Sequence, residues 1–302
     1  MSMKKGLFTL MLILFLMSSI YMLFAQEKRI YNDGNIDYAP LSASFALSAE
    51  DFESTLKEIQ YSLDGSAIQV YRGPINFSDE GRHVIGYRAV DLTGNISTEK
   101  IYSVVIDGTP PDGIATVEGP VYMGGDTVYI TKESSIFLWA EDNLSGVESI
   151  YVKLDNGPYM AYTGPVAITE EGPHTAQTYA VDNVGNKTLE FTVEGYVDST
   201  PPTIRITPQE AFVVVGGKNY TNKHNEFFVS AKDEISGVQQ VLVSFDGSDY
   251  VTYTTPFKVQ VAGFHTVRAK AIDNLGNVSA PLELSFYVDM VPPESKLGAS
   301  VK

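Results

Sequence analysis

The sequence predicts an all-β protein made of three tandem antiparallel sandwiches in a rod-like array. Three observations predict it. The chain superposes on itself without a gap at an offset of 91 residues, from Asp51 to Pro293. Its apolar residues alternate with period two, and no window carries a convincing period of about 3.6. Turn residues punctuate it about every 8–12 positions. A chain of 302 residues allows two or three domains by length; the repeat decides for three. The expected boundaries are 1–25 for an export signal, 26–107, 108–198 and 199–289 for the repeats, and 290–302 for a C-terminal tail.

The first element is the export signal. Lys4 and Lys5 precede an apolar run from Leu7 to Phe24, closed by Ala25. The run is also long enough to serve as an uncleaved anchor. Cleavage removes two lysines and no acid, moving the net charge from −16 to −18. Such a surface excludes nucleic acid and anionic membrane as partners and favours cations or basic proteins. No further stretch reads as a membrane span. With no cysteine, the chain has neither disulfides nor a site for a lipid anchor, and units of about 90 residues must hold by burial alone.

Within a repeat, the strand before "SGV" buries Phe227, Val229 and Ala231 against outward Phe228, Ser230 and Lys232. The strand after it places Ile150, Val152 and Leu154 on one face, matched by Ile59, Tyr61, Leu63 and by Val241, Val243, Phe245. The turns "LDG", "LDN" and "FDG" follow at 63–65, 154–156 and 245–247. A shared histidine (His83, His174, His265) opens the next strand, in which Val267, Ala269 and Ala271 continue the inward face. Each histidine reads as a packing or hydrogen-bonding residue at a strand end, with no metal ligands at suitable spacing. "TPP" or "VPP" closes each repeat as a stiff hinge. Seven or eight such strands make an immunoglobulin-like sandwich. The first repeat lacks its opening strand, because the matching stretch 18–29 falls mostly within the signal.

The string "YSLDG…YRGPI…EGRHVIGYRAVDLTGN" at 61–95 resembles a bacterial Ig-like repeat found in tandem in exported and surface proteins, spirochaetal ones among them. The resemblance covers about residues 30–293. It implies a stalk, spacer, adhesive domain or accessory to a carbohydrate-active enzyme. The repeat is sometimes catalogued as an outer-membrane β-barrel. The residues argue against that, because the outward positions are mostly Ser, Thr, Gln, Lys and Arg where a barrel needs a lipid-facing apolar side.

Two constellations qualify as candidate sites. Two strands per copy end in "A-x-D" and finish at the same end of a sandwich, where the linker from the preceding repeat arrives. That gathers Asp107, Asp142 and Asp182 at one junction and Asp198, Asp233 and Asp273 at the next. Converging carboxylates suit Ca²⁺; aspartates before Gly or Asn also cap turns with their own side chains. The arrangement is loosely similar to the junction sites of cadherins. Secondly, Phe137, Trp139 and Tyr151 lie on the outward parity of two successive strands of the second copy only, as a surface for a sugar ring or protein partner. No catalytic triad or carboxylate pair repeats, so the expectation is a non-catalytic exported scaffold, spacer or adhesive module. It would act in the periplasm, at the cell surface or outside the cell, with a protein or glycan partner and weak head-to-tail self-association. The rival expectation is a carbohydrate-binding accessory protein.

Overall fold

The computed structural model describes residues 27–298; the signal segment expected at 1–25 lies outside the described residues. Those residues form strands and no helix. Repeat one holds β1 (Tyr31–Asn32), β2 (Asp37–Pro40), β3 (Leu56–Leu63), β4 (Gln69–Val70), β5 (Gly81–Asp91) and β6 (Lys100–Asp107). Repeat two holds β7 (Asp112–Glu118), β8 (Val121–Gly124), β9 (Thr127–Ile130), β10 (Ser135–Glu141), β11 (Val147–Leu154), β12 (Met160–Ala161), β13 (Val166–Ala167), β14 (Gly172–Asp182) and β15 (Phe191–Val197). Repeat three holds β16 (Thr203–Pro208), β17 (Val213–Val215), β18 (Lys218–Thr221), β19 (Glu226–Lys232), β20 (Val238–Phe245), β21 (Val251–Thr252), β22 (Phe257–Lys258), β23 (Gly263–Asp273) and β24 (Leu282–Val288).

Repeats two and three are sandwiches of a three-stranded and a six-stranded sheet. The small sheets run β13-β10-β7 and β16-β19-β22; the large ones run β12-β11-β14-β15-β9-β8 and β17-β18-β24-β23-β20-β21. Both are open rows of strands, as is the single six-stranded sheet of repeat one, β1-β2-β6-β5-β3-β4. None closes into a barrel. The expectation of purely antiparallel sheets needs one correction in every repeat: β2 with β6, β9 with β15 and β18 with β24 are parallel. After its opening strand the chain crosses from the small sheet to the large one and runs beside the last strand. In repeat two the crossing begins at Gly119, whose φ is +114° and where a Cβ would stand 2.8 Å from Ser134 Cα. Only glycine fits so close a backbone approach in that conformation.

The period-two pattern is what the strands bury. In β23, His265, Val267, Ala269, Ala271 and Asp273 are buried and alternate with exposed or half-buried residues. Phe227 and Phe286 are almost wholly enclosed in the third core with Val243, Val267 and Val288. The second core gathers Ile136, Leu138, Val152 and Val197, with Ile150 and Leu154 packed against it. The first gathers Ala39, Ile75, Ile85, Val104 and Ile106. Residues 44–50, which match β10 and β19, make only an isolated bridge, Phe45 to Ile75, and no opening strand lies along them among the described residues.

Candidate metal centre at the repeat junctions

The two strands that end in "A-x-D" in repeat two, β10 and β14, belong to opposite sheets but run the same way. The "A-x-D" element therefore puts Asp142, just past β10, and Asp182, the last residue of β14, at one end of the sandwich. The preceding repeat delivers Asp107 to that end as the last residue of β6. One carboxylate oxygen from each of Asp107, Asp142 and Asp182 lies within 4.8 Å of the others, and the same holds for Asp198, Asp233 and Asp273. Asp107, Asp182, Asp198 and Asp273 are fully buried.

Each carboxylate also caps a turn, and the capping leaves lone pairs free. Asp142 Oδ1 accepts the amides of Leu144 (3.1 Å) and Gly146 (2.8 Å). Asp182 Oδ1 accepts those of Val184 (3.0 Å) and Asn186 (2.7 Å). Asp107 Oδ1 accepts Thr109 N at 3.2 Å, while its Oδ2 reaches across the junction to Ser145 N at 3.0 Å. Asn186 Nδ2 donates to Asp107 O at 3.1 Å and to Asp182 Oδ2 at 2.6 Å. The second junction copies this: Ser236 N donates to Asp198 Oδ2 (3.0 Å) and Asn277 Nδ2 to Asp198 O (3.2 Å). Glu80 and Glu171 brace the linkers by accepting the amides of Gly108 (2.8 Å) and Ser199 (3.0 Å).

Among the described residues no lysine, arginine or histidine pairs with any of the six aspartates. Ionised carboxylates with oxygens within 4.8 Å of one another repel. Burial, and then the charge of Asp107, push Asp182 above the usual carboxylate range against the pull of the Asn186 hydrogen bonds. A divalent cation would relieve this repulsion, and the donors fit one. They are hard oxygens with free lone pairs, and Ca²⁺ takes six to eight oxygens at 2.3–2.6 Å. The buried hydroxyls of Ser145 and Ser236, at matching positions, have no hydrogen-bond partner. Beside the first cluster lies a cleft of about 350 Å³, lined by Glu80, Asp107, Asp112, Glu141 and Asp142.

The aromatic constellation needs correcting. Phe137 and Trp139 stand on the outward face of β10 in the small sheet, with Trp139 52% exposed. Tyr151 stands on β11 in the large sheet, stacked on Tyr179 at 5.0 Å. Successive strands here belong to opposite sheets, so the three rings do not form one surface. Two features escaped the sequence reading. Asp64, Asp155 and Asp246 of the hairpin turns hold the three histidines. Residues 28–29 fasten onto repeat two: Lys28 Nζ donates to Asn186 Oδ1, Arg29 N to Val184 O (3.2 Å) and the Arg29 guanidinium to Glu148 (2.5 Å).

No family model matches the chain, and no curated protein does. Among solved structures, the fibronectin(III)-like modules of Clostridium thermocellum CbhA are similar at 18% identity and a TM-score of 0.34, over 61% of this chain and 100% of theirs. The D00–D0 domain of intimin is similar at 13% identity and 0.24, over 58% of this chain and 100% of its own. SGBP-B of the Bacteroides ovatus mixed-linkage glucan utilization locus, in complex with a mixed-linkage heptasaccharide, is similar at 16% and 0.18, over 82% of this chain and 63% of its own.

Proposed function

We propose that this chain is a non-catalytic, exported array of Ig-like sandwiches that spaces, scaffolds or adheres outside the cytoplasm, with joints stiffened by Ca²⁺. The observation that carries the reading is the duplication of one tri-aspartate cluster at both junctions. The chemistry-bearing groups sit where repeats meet, so their occupancy sets the angle and stiffness of the array. Asp142→Asn tests it, because asparagine keeps the oxygen that caps the turn and replaces only the free one. Ca²⁺ should raise the melting temperature of the chain by ligand linkage and narrow its small-angle scattering size distribution. Asp142→Asn with Asp233→Asn should remove both effects. Unchanged melting and scattering in Ca²⁺ would exclude the cation role.

The exposed indole of Trp139, with Phe137 beside it and Ile114 opposite it on β7, supports a second reading, a carbohydrate-binding accessory role. Glycan-array binding lost in Trp139→Ala would favour it. Recovery of protein partners from envelope fractions by the same variant as well as the parent would favour the first.

A further inference from the structure

We propose that a second copy of this chain pairs with the free edge of the third repeat's large sheet, β17 against β17, in a closed twofold dimer. β17 is the end strand of that sheet and pairs only with β18 among the described residues. The edge is apolar. Ala211, Phe212, Val213, Val214 and Val215 follow one another without a polar residue, and the three valines are all exposed, Val214 at 65%. Edge strands are commonly blunted with charge or proline; this one carries neither. Successive strand residues point to opposite faces, so the valines leave both faces of the edge apolar. A neighbouring repeat does not cover this edge. β8 is the matching strand of repeat two, and its Val121 and Met123 remain exposed although repeat three follows.

The hairpin sets which backbone groups face outward. Gly216 and Gly217, with φ of +57° and +77°, make the two-residue turn whose twist matches the flanking strands. The ladder pairs Val215 with Lys218, Val214 with Asn219 and Val213 with Tyr220. The two residues that flank such a turn bond to each other, and hydrogen-bonded pairs then alternate with non-hydrogen-bonded ones. Val215 therefore bonds to Lys218, and Val214 turns its N–H and C=O to the open side. Two antiparallel copies of β17 can exchange both bonds between the two Val214 residues on the twofold axis. Val213 of each copy then lies opposite Val215 of the other. These valines share a face, so four side chains join in one apolar cluster of cross-strand pairs.

Charge selects both the orientation and the partner. Exposed Glu210 stands just before the apolar stretch and exposed Lys218 just after the turn. Antiparallel self-pairing brings Glu210 of each copy toward Lys218 of the other. A parallel pairing sets like against like and is disfavoured. In repeat two, Gly119 and Thr127 stand at the two matching positions and Asp126 in the turn, so β8 has the exposed edge without the charge pair. β1 is tied up differently, because Arg29 at its entry is bound to Val184, Asn183 and Glu148 of repeat two. The contact is isologous, so it closes at two copies and joins two six-stranded sheets edge to edge. Each surface of the array is then presented twice, which raises avidity for a repeated partner.

Sedimentation velocity of the chain over a wide concentration range, in CaCl₂ and in EDTA, tests the contact. The expected result is a reversible monomer–dimer equilibrium that is the same in both buffers, because no junction aspartate takes part. Val214→Lys changes an exposed position outside the third core and sets two lysines against each other on the axis. It should raise the dimer dissociation constant about tenfold or more. Lys218→Glu should weaken the dimer, and Glu210→Lys combined with Lys218→Glu should restore it. A monomer at every concentration overturns the proposal and leaves the edge to an extended segment of another protein. A dimer seen only in CaCl₂ overturns it by placing assembly at the cation sites. A dimer unchanged in Val214→Lys, or growth beyond two copies, overturns it by placing the contact on another surface.

Discussion

His174 Nδ1 lies 2.8 Å from Asp155 Oδ2, and the pair recurs as His83 with Asp64 at 2.9 Å and His265 with Asp246 at 2.8 Å. Each aspartate sits in the left-handed region, with φ of 48°, 51° and 50° for Asp64, Asp155 and Asp246. Its second oxygen takes the amide after the histidine, as in Thr175 N to Asp155 Oδ1 at 2.9 Å. The other ring nitrogen faces the carbonyl four residues back, Glu170 O at 2.9 Å for His174. Both ring partners are acceptors, so only the imidazolium satisfies both. The pair ties the hairpin turn to the next strand in every repeat.

Stability should therefore depend on pH. Burial opposes the charge on His83 and His174, but the hydrogen bonds to the aspartate and carbonyl outweigh it and raise both above the ordinary 6.5. The stabilisation is fully present below 6.5 and is lost as pH rises through the raised value. The aspartates are lowered, Asp64 chiefly by His83 and Asp155 chiefly by the Thr175 amide. Their share is present above the ordinary 3.8 and is lost as pH falls through the lowered value. The melting temperature should fall as pH rises above 6.5, and His83→Gln with His174→Gln should flatten the slope. An unchanged slope in the double variant would place the pH dependence elsewhere.

Phe227 and Phe228 are neighbours on β19 that face opposite ways, 1% and 40% exposed. Phe227 stacks on Phe286 at 4.7 Å and on Phe257 at 5.5 Å. Phe227→Ala should cost about 3–5 kcal/mol in denaturant unfolding, and Phe228→Ala no more than about 1 kcal/mol. Equal costs would mean that the strand is out of register by one residue, which exchanges its faces.

That face was legible in the sequence because a strand shows its buried side at every second residue. The junction acids were legible for a related reason: the repeat states three times that two strands end in aspartate, and strand direction brings those ends together. Sheet membership was not legible. Nothing in the spacing of Trp139 and Tyr151 says that their strands lie in opposite sheets, nor that β9 runs parallel to β15. The histidine partners were missed although both residues stood in the repeat, because aspartate in "LDG" reads first as a turn former. Lys28 and Arg29 have no counterpart in the other copies, where Gly119 with Pro120 and Glu210 with Ala211 stand, so the repeat held no signal for their contacts.

Each core is assembled from residues of a single repeat, the third from Ile204 to Val288. Residues 199–293 alone should thus unfold in one cooperative transition with a β-type circular dichroism spectrum. A disordered product would show that the repeat depends on its neighbour.

The segment at 28–29 makes the two junctions unequal. At the first, Lys28 bonds to Asn186, which itself holds Asp182 and the carbonyl of Asp107, and Arg29 ties down Asn183 O at 3.1 Å and Glu148. At the second, the matching Gly119 and Pro120 have no side chain able to do this. The first linker should therefore be the better protected in the absence of added cation. Lys28→Ala with Arg29→Ala removes exposed or half-exposed contacts, so the whole chain should lose only about 1 kcal/mol or less. Local opening should respond more strongly. Hydrogen exchange of the Asn186 and Val184 loop should speed up in the double variant and approach that of the Asn277 and Leu275 loop, which should not change. Equal protection of the two loops in the parent protein would show that the segment does not brace the junction.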